Sequence, residues 1–202
     1  MARTADHGER RRQVAEALLR TVAARGLART TLVDVAEEAG VSVGLVQRYF
    51  RTKSDLLRFG VEYLYERGEE RLRGVELVGP IRTLLFRLLE TLLPLDAERR
   101  TELAVWLEFV PATLTDPEMS RIHNDTTRSL VEGVAEAVEA AQQRGELPGH
   151  LDATAEAASL VAFVDGLTLH HLATAPIFDA ESIRRALADH IERLFTAHGT
   201  TK

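Results

Sequence analysis

Apolar residues recur along the chain at three- and four-residue intervals, the spacing that lines one face of a helix. Val14, Leu18 and Val22 stand four apart with Ala15 and Leu19 beside them, and Gly26 follows as a stop. This predicts a first helix from about Asp6 to Arg25. Thr31 with Asp34 three residues later has the form of a capping box and opens a short helix ending at Gly40. A second short helix starts after Ser42. Thr52 and Asp55 repeat the cap and open a longer helix to about Arg73, carrying Leu56, Leu57, Val61, Leu64 and Tyr65. Beyond Gly79-Pro80 the pattern predicts helices over Ile81–Leu93, from Asp96 to near Pro111, from Asp116-Pro117 to Arg144, from Asp152 to about Ala173, and from Asp179 onward. No strand pattern, repeat or low-complexity stretch interrupts them. The fold class is therefore all-α, with three helices in residues 1–52 and six in residues 53–202.

Composition agrees with a globular helical chain. Of 202 residues, 45% are hydrophobic and 28% charged, and there is no cysteine, which excludes disulfides and thiolate metal sites. The N-terminus lacks an apolar signal core, and no stretch reaches the roughly 18 apolar residues of a spanning helix. The expectation is a cytoplasmic protein with no membrane partner. Charge changes the picture more. The net charge of −6 alone argues against a nucleic-acid binder. Yet residues 1–58 hold 11 Lys/Arg against 7 Asp/Glu, while residues 59–202 hold 14 against 24. A basic front on an acidic remainder is the asymmetry expected if only the front faces phosphate. Arg10, Arg11 and Arg12 in the first helix read as an ordinary solvated face.

The front three helices carry a helix-turn-helix pattern. Two short helices crossing steeply need a small residue at the crossing, and Ala36 supplies it. The turn between them needs a residue tolerant of positive φ, and Gly40 supplies that. Val35, Ala39, Val41 and Val46 then form the buried seam. The helix from Val43 to about Phe50 is left with Gln47, Arg48 and Tyr49 on or near its open side. Such a helix can enter a major groove, where Gln47 would read adenine edges and Arg48 guanine, with Tyr49 and Lys53 suited to phosphate. Small residue, turn glycine, serine cap and basic flank coincide within about 20 residues.

On these residues, positions 10–57 resemble the DNA-binding domain of TetR-family regulators. Thr31-Leu32-x-x-Val35-Ala36, Ala39-Gly40-Val41-Ser42, Gly44-x-x-x-x-Tyr49-Phe50 and Lys53-x-x-Leu56-Leu57 carry the likeness. The resemblance implies a DNA-binding transcriptional regulator, expected to be a repressor released from a near-palindromic operator by a small molecule. It implies DNA contacts from Thr31, Ser42, Val43, Gly44, Gln47, Arg48, Tyr49 and Lys53. Many members have Thr or Ser where this chain has Leu45, which cannot hydrogen-bond to DNA.

The resemblance also implies a homodimer through the last two helices. Ala157, Leu160, Val161, Val164 and Thr168, with Ile183, Leu187, His190, Ile191 and Leu194, are spaced to form such a face, and equally to form intramolecular core. Residues 157–172, with Val164-Asp165-Gly166-Leu167, are similar to the betaine-regulator branch. The family's ligand site lies among the middle helices. Here the candidates are Tyr63, Phe86, Trp106, Phe109, His123, Phe163 and His170, each of which also suits plain core. The expected ligand is small and apolar or amphipathic. Adjacent His170 and His171 diverge around a helix and cannot readily share an ion, so neither metal nor other cofactor is expected. Asp165 with His170 or His171 is the only acid–histidine pairing nearby, without a phosphate loop or nucleophile elbow, so no enzyme is expected.

Overall fold

The computed structural model describes residues 2–76, 78–174 and 176–196. Among the described residues there is no strand, and nine α-helices follow one another: α1 (Ala2–Arg25), α2 (Leu32–Ala39), α3 (Val43–Tyr49), α4 (Lys53–Arg73), α5 (Ile81–Glu90), α6 (Ala97–Phe109), α7 (Pro117–Gln143), α8 (Ala153–Ala173) and α9 (Ala180–Thr196). Two 3-10 turns absent from the sequence reading, Leu27–Arg29 and Val110–Leu114, follow α1 and α6. No helix among the described residues is long and apolar enough to cross a membrane.

The chain divides into two compact units. One holds the chain through Arg67 together with Thr101–His123; the other holds Gly68–Arg100 and the chain from Asn124 onward. The chain passes from one to the other inside α4, α6 and α7. The boundary expected between residues 52 and 53 lies within the first unit, because Leu56, Val61 and Leu64 of α4 share one apolar core with α1–α3.

In the first unit Val14, Leu18 and Val22 of α1 pack with Val35 and Ala36 of α2, Val46 of α3, Phe50, and Val105 and Phe109 of α6. Each large side chain so buried contributes about 1.5–3 kcal/mol. A Cβ on Gly60 would come within 2.4 Å of Leu18 Cδ2, so the glycine is what lets α4 lie this close to α1.

In the second unit α5, α7, α8 and α9 surround Leu85, Leu89, Val138, Ala157, Leu160, Ile183, Leu187 and Ile191. Asp152 and Asp179 cap α8 and α9 by accepting from the Ala155 and Ser182 amides at 3.1 and 2.8 Å. Pro80 offers α5 no cap, and Glu146 instead accepts from the Ile81 amide at 3.0 Å. Arg82–Glu192, at 2.7 Å, and Arg184–Glu90 tie α5 to α9.

This core takes up most of the residues offered either as a dimer face or as intramolecular core. Ala157, Leu160, Val161, Val164, Thr168, Ile183, Leu187, Ile191 and Leu194 are all at most 8% exposed within a single chain. They pack α8 and α9 into the unit, and Thr168 donates to the Leu92 carbonyl at 3.3 Å. Periodicity identified a buried face correctly, but the surface that buries it is intramolecular. Only His190 of that set reaches the surface, stacked on Phe163 with ring centroids 4.3 Å apart. The side of α8 that stays open carries Ala155, Ala158, Ser159, Ala162 and Leu169.

Candidate nucleic-acid interface

Helix α2 begins with a complete capping box. The Thr31 hydroxyl accepts from the Asp34 amide at 3.3 Å, and Asp34 accepts from the Thr31 amide at 2.9 Å. The Thr31 hydroxyl itself donates to Asp34 at 2.7 Å. Thr31 is exposed, but both of its donors are committed to Asp34, so its visible role is to start α2. Those hydrogen bonds, with the Arg25 guanidinium at 2.5 Å, hold the Asp34 carboxyl below the usual carboxylate range.

Gly40 ends α2 in the left-handed region, at φ 65° and ψ 32°. There the Val41 amide donates back to the Ala36 carbonyl at 3.0 Å, and the Gln13 side chain donates to the Ala39 carbonyl at 2.9 Å. Ala36 is buried at the crossing, as its size requires. Ser42 then caps α3 by accepting from the Leu45 amide at 3.2 Å. Val46 points inward, while Gly44, Gln47 and Arg48 are exposed. Nothing would meet a Cβ on Gly44, so backbone can be approached closely there. Val43, Leu45 and Tyr49 are half-buried, Tyr49 standing edge-on to Phe50.

Electrostatics clear a path for an anion. Helix α2 carries three acids, and α1 matches two of them: Arg25 to Asp34 and Arg20 to Glu38, the latter at 2.6 Å. Only Glu37 is left unmatched among the described residues. Lys53 is exposed and donates to the Leu27 carbonyl at 3.3 Å. Arg48, and with it Arg12 and Arg51 outside the expected set, are exposed with no ion pair among the described residues. Arg51 follows the C-cap of α3 directly, a position the sequence showed and the helix pattern passed over.

The middle-helix candidates divide between the two units. Tyr63, Trp106, Phe109 and His123 lie in the first unit; Phe86, Phe163 and His170 lie in the second. Phe109 and Tyr63 are buried core, with the Tyr63 hydroxyl donating to Glu16 at 2.9 Å. Phe86 lies under Arg184, Phe163 stacks on His190, and exposed His170 stacks on Phe178. Trp106 and His123 do form a cluster, and its third member, Tyr65, was absent from the expected set. The Tyr65 hydroxyl is 2.5 Å from His123 Nδ1, and the His123 ring stands 6.2 Å from Tyr65 and 6.5 Å from Trp106. Burial lowers the His123 pKa below its ordinary value. Tyr65 sits two residues from Tyr63 on α4, and helical spacing alone gives no reason to prefer its face.

The acid–histidine pairing does not form among the described residues. His171 Nδ1 lies 2.7 Å from the Phe178 carbonyl, and its Nε2 lies 3.3 Å from Arg100. Asp165 stands on the open side of α8, where crowding by neighbouring atoms pushes its carboxyl up to about 6 although the residue as a whole stays exposed.

Comparison with known proteins places this geometry. A family model described as bacterial regulatory proteins of the tetR family matches residues 15–58, and one described as the C-terminal region of BetI-type transcriptional repressors matches residues 81–196. The regulator TtgR of Pseudomonas putida is 34% identical over 79% of this chain and 78% of its own length. PksA of Bacillus subtilis is 29% identical over 96% and 94%. Among solved structures, a transcriptional regulator from Rhodococcus sp. Rha1 superposes with a TM-score of 0.85 at 29% identity, covering 95% of this chain and 99% of its own. One from Saccharomonospora viridis, in complex with choline, gives 0.85 at 27%, covering 92% and 96%.

Proposed function

Because the chain belongs to the TetR family of bacterial transcriptional regulators, we propose that it works as a homodimeric repressor held on a near-palindromic operator and released by a small molecule. The observation that carries this reading is the exposed side of α3. Gln47 and Arg48 stand in solvent with no internal partner among the described residues, on a helix whose opposite side is locked by Val46 and by the turn at Gly40. Arg48 then reads guanine and Gln47 adenine, while Ser42, Val43 and Gly44 lie against the backbone or a base edge. Tyr49 and Lys53 take phosphates, Lys53 exchanging the Leu27 carbonyl for an anion. Residues 1–52 supply the contacts together with Lys53 at the start of α4, and the rest of 53–202 supplies sensing and pairing.

The open side of α8 is the face offered to a second copy. Ala155, Ala158, Ser159, Ala162, Asp165 and Leu169 recur at three- and four-residue spacing, Asp165 being the one charge among them, and Leu169 is 46% exposed. A helix apolar on nearly every side is normally covered, and a two-fold partner would cover it with the same surface. Two α3 helices about 34–36 Å apart would then read two half-sites. Ligand acts by binding more tightly to a dimer state that misfits that spacing. The Tyr65–Trp106–His123 cluster is the favoured ligand contact, and choline, seen in the Saccharomonospora viridis relative, is the first compound to try.

The test is a gel shift with the DNA upstream of the protein's own gene, with and without added compound. A retarded band that base substitution abolishes supports the reading. No retardation at low salt, with the dimer intact, overturns it.

A further inference from the structure

The arginines of α1 are not equivalent. Arg20 and Arg25 are each matched to an acid of α2. Arg11, read from the sequence as part of a solvated run, is half-buried instead. Its guanidinium carbon sits 4.3 Å from the Phe59 ring centroid and 5.6 Å from that of Phe50, and the two rings are 5.2 Å apart. The Nε is buried, and no acceptor meets it among the described residues. No acid among them pairs with the guanidinium either, and its terminal nitrogens are not among the buried orphans. The result is a cation gripped from behind by two rings, its outer donors turned to solvent.

Position gives the matching anion an identity. Phe50 is the C-cap of α3, and Tyr49 stands edge-on to it at 6.5 Å. Arg11 and Tyr49 therefore flank one aromatic cluster at the end of the recognition helix. Arg51 follows Phe50 with its own guanidinium exposed and unpaired among the described residues. We propose that Arg11 is a DNA-phosphate ligand outside the recognition helix, pre-set over Phe59 and Phe50 to take a backbone phosphate beside the groove, with Arg51 as its neighbour. Planar stacking leaves the guanidinium fork already oriented, so little side-chain freedom is lost when phosphate arrives. The contact adds affinity and register without reading bases.

This rests on the DNA-binding reading above, and the experiment separates the two. Binding of the full-length protein to a mixed-sequence duplex of about 30 base pairs is measured over a salt series by fluorescence anisotropy, for wild type, Arg11→Met and Arg11→Lys. Methionine keeps an apolar side chain against the rings and removes the charge. The expected result is a salt slope shallower by about one per head in Arg11→Met, with binding at low salt weaker by on the order of tenfold for the dimer, and a slope largely retained in Arg11→Lys. A purely structural arginine would lower the melting temperature of Arg11→Met and leave its salt slope at the wild-type value; that outcome overturns the proposal. Wild type that fails to bind the duplex at all overturns the repressor reading itself.

Discussion

The two ends of the chain handle exposed side chains in opposite ways. Around α2 and α3 the exposed groups are mostly polar and charged, Val33 excepted, and several polar groups are spent on holding geometry: Asp34 on Thr31 and Arg25, Glu38 on Arg20, Gln13 on the Ala39 carbonyl. Around α8 the exposed groups are mostly uncharged, Asp165 excepted, with Ala155, Ala158, Ala162 and Leu169 among them, while the periodic large residues are consumed inside the same chain. In the proposed function the first surface takes a polyanion and the second a like surface. Burial pattern alone separates inside from outside, and only the chemistry left outside tells which kind of partner completes it.

The sharpest way to break that contrast is to empty the buried side of α8–α9. Leu187→Ala should cost about 2–5 kcal/mol of stability, read by denaturant unfolding at fixed protein concentration, with the dimer still formed under native conditions. A dimer lost while stability held would return Leu187 to the interface. The complementary change is Ala162→Glu on the open side. Two like charges brought together should weaken association by about a hundredfold or more in sedimentation, with the helical signal of the chain unchanged. Unaltered association would remove α8 from the interface.

On the DNA side, Arg48→Ala should lose about 1–3 kcal/mol on the preferred operator and far less on unrelated sequence, measured by competition binding. Equal losses on both would demote Arg48 to a phosphate contact. Thr31→Ala should cost about 1 kcal/mol through the lost cap and weaken all DNA alike. A change in base preference in that variant would make Thr31 a reader of bases rather than a cap. The smallest effect belongs to His123. Its pKa is lowered in the fold, so the unfolded chain takes up the proton first. The stability this group contributes is present above about 6.5 and is lost as pH falls through the lower folded value. His123→Gln should flatten that part of the stability profile, and an unchanged profile would show that His123 does not contribute to it.

How much of this was legible in the sequence differs by element. The helix-turn-helix was legible because its demands are local: a cap three residues apart, a glycine at φ 65°, a small residue at a crossing. Helix limits followed from Gly26, Pro117, Asp152 and Asp179 for the same reason, whereas α5 ends at Glu90, short of the limit expected before Pro94. The 3-10 turns were missed, since three to five residues carry no period. Tyr65 and Arg11 were missed because their roles depend on partners 58 and, in Phe59, 48 positions away along the chain. The choice between dimer face and core stayed open in the sequence because a stripe of Ile and Leu states that it will be covered without stating by what. Small residues such as Ala158 and Ala162, which mark the open side, give weaker periodic signals than Leu160 and Leu187, and so drew less notice.

The arginine–acid pairs across α1 and α2 have a consequence for heredity. Arg20 and Arg25 lie on α1 rather than on α3, yet each pairs with a negative charge on α2, the neighbour of the proposed recognition helix. Losing one of them alone would unmask its acid and weaken every operator the protein serves at once, a burden on the whole regulon from a residue remote from the groove. Losing arginine and acid together would leave the balance intact. Such positions are free to drift, but only two at a time.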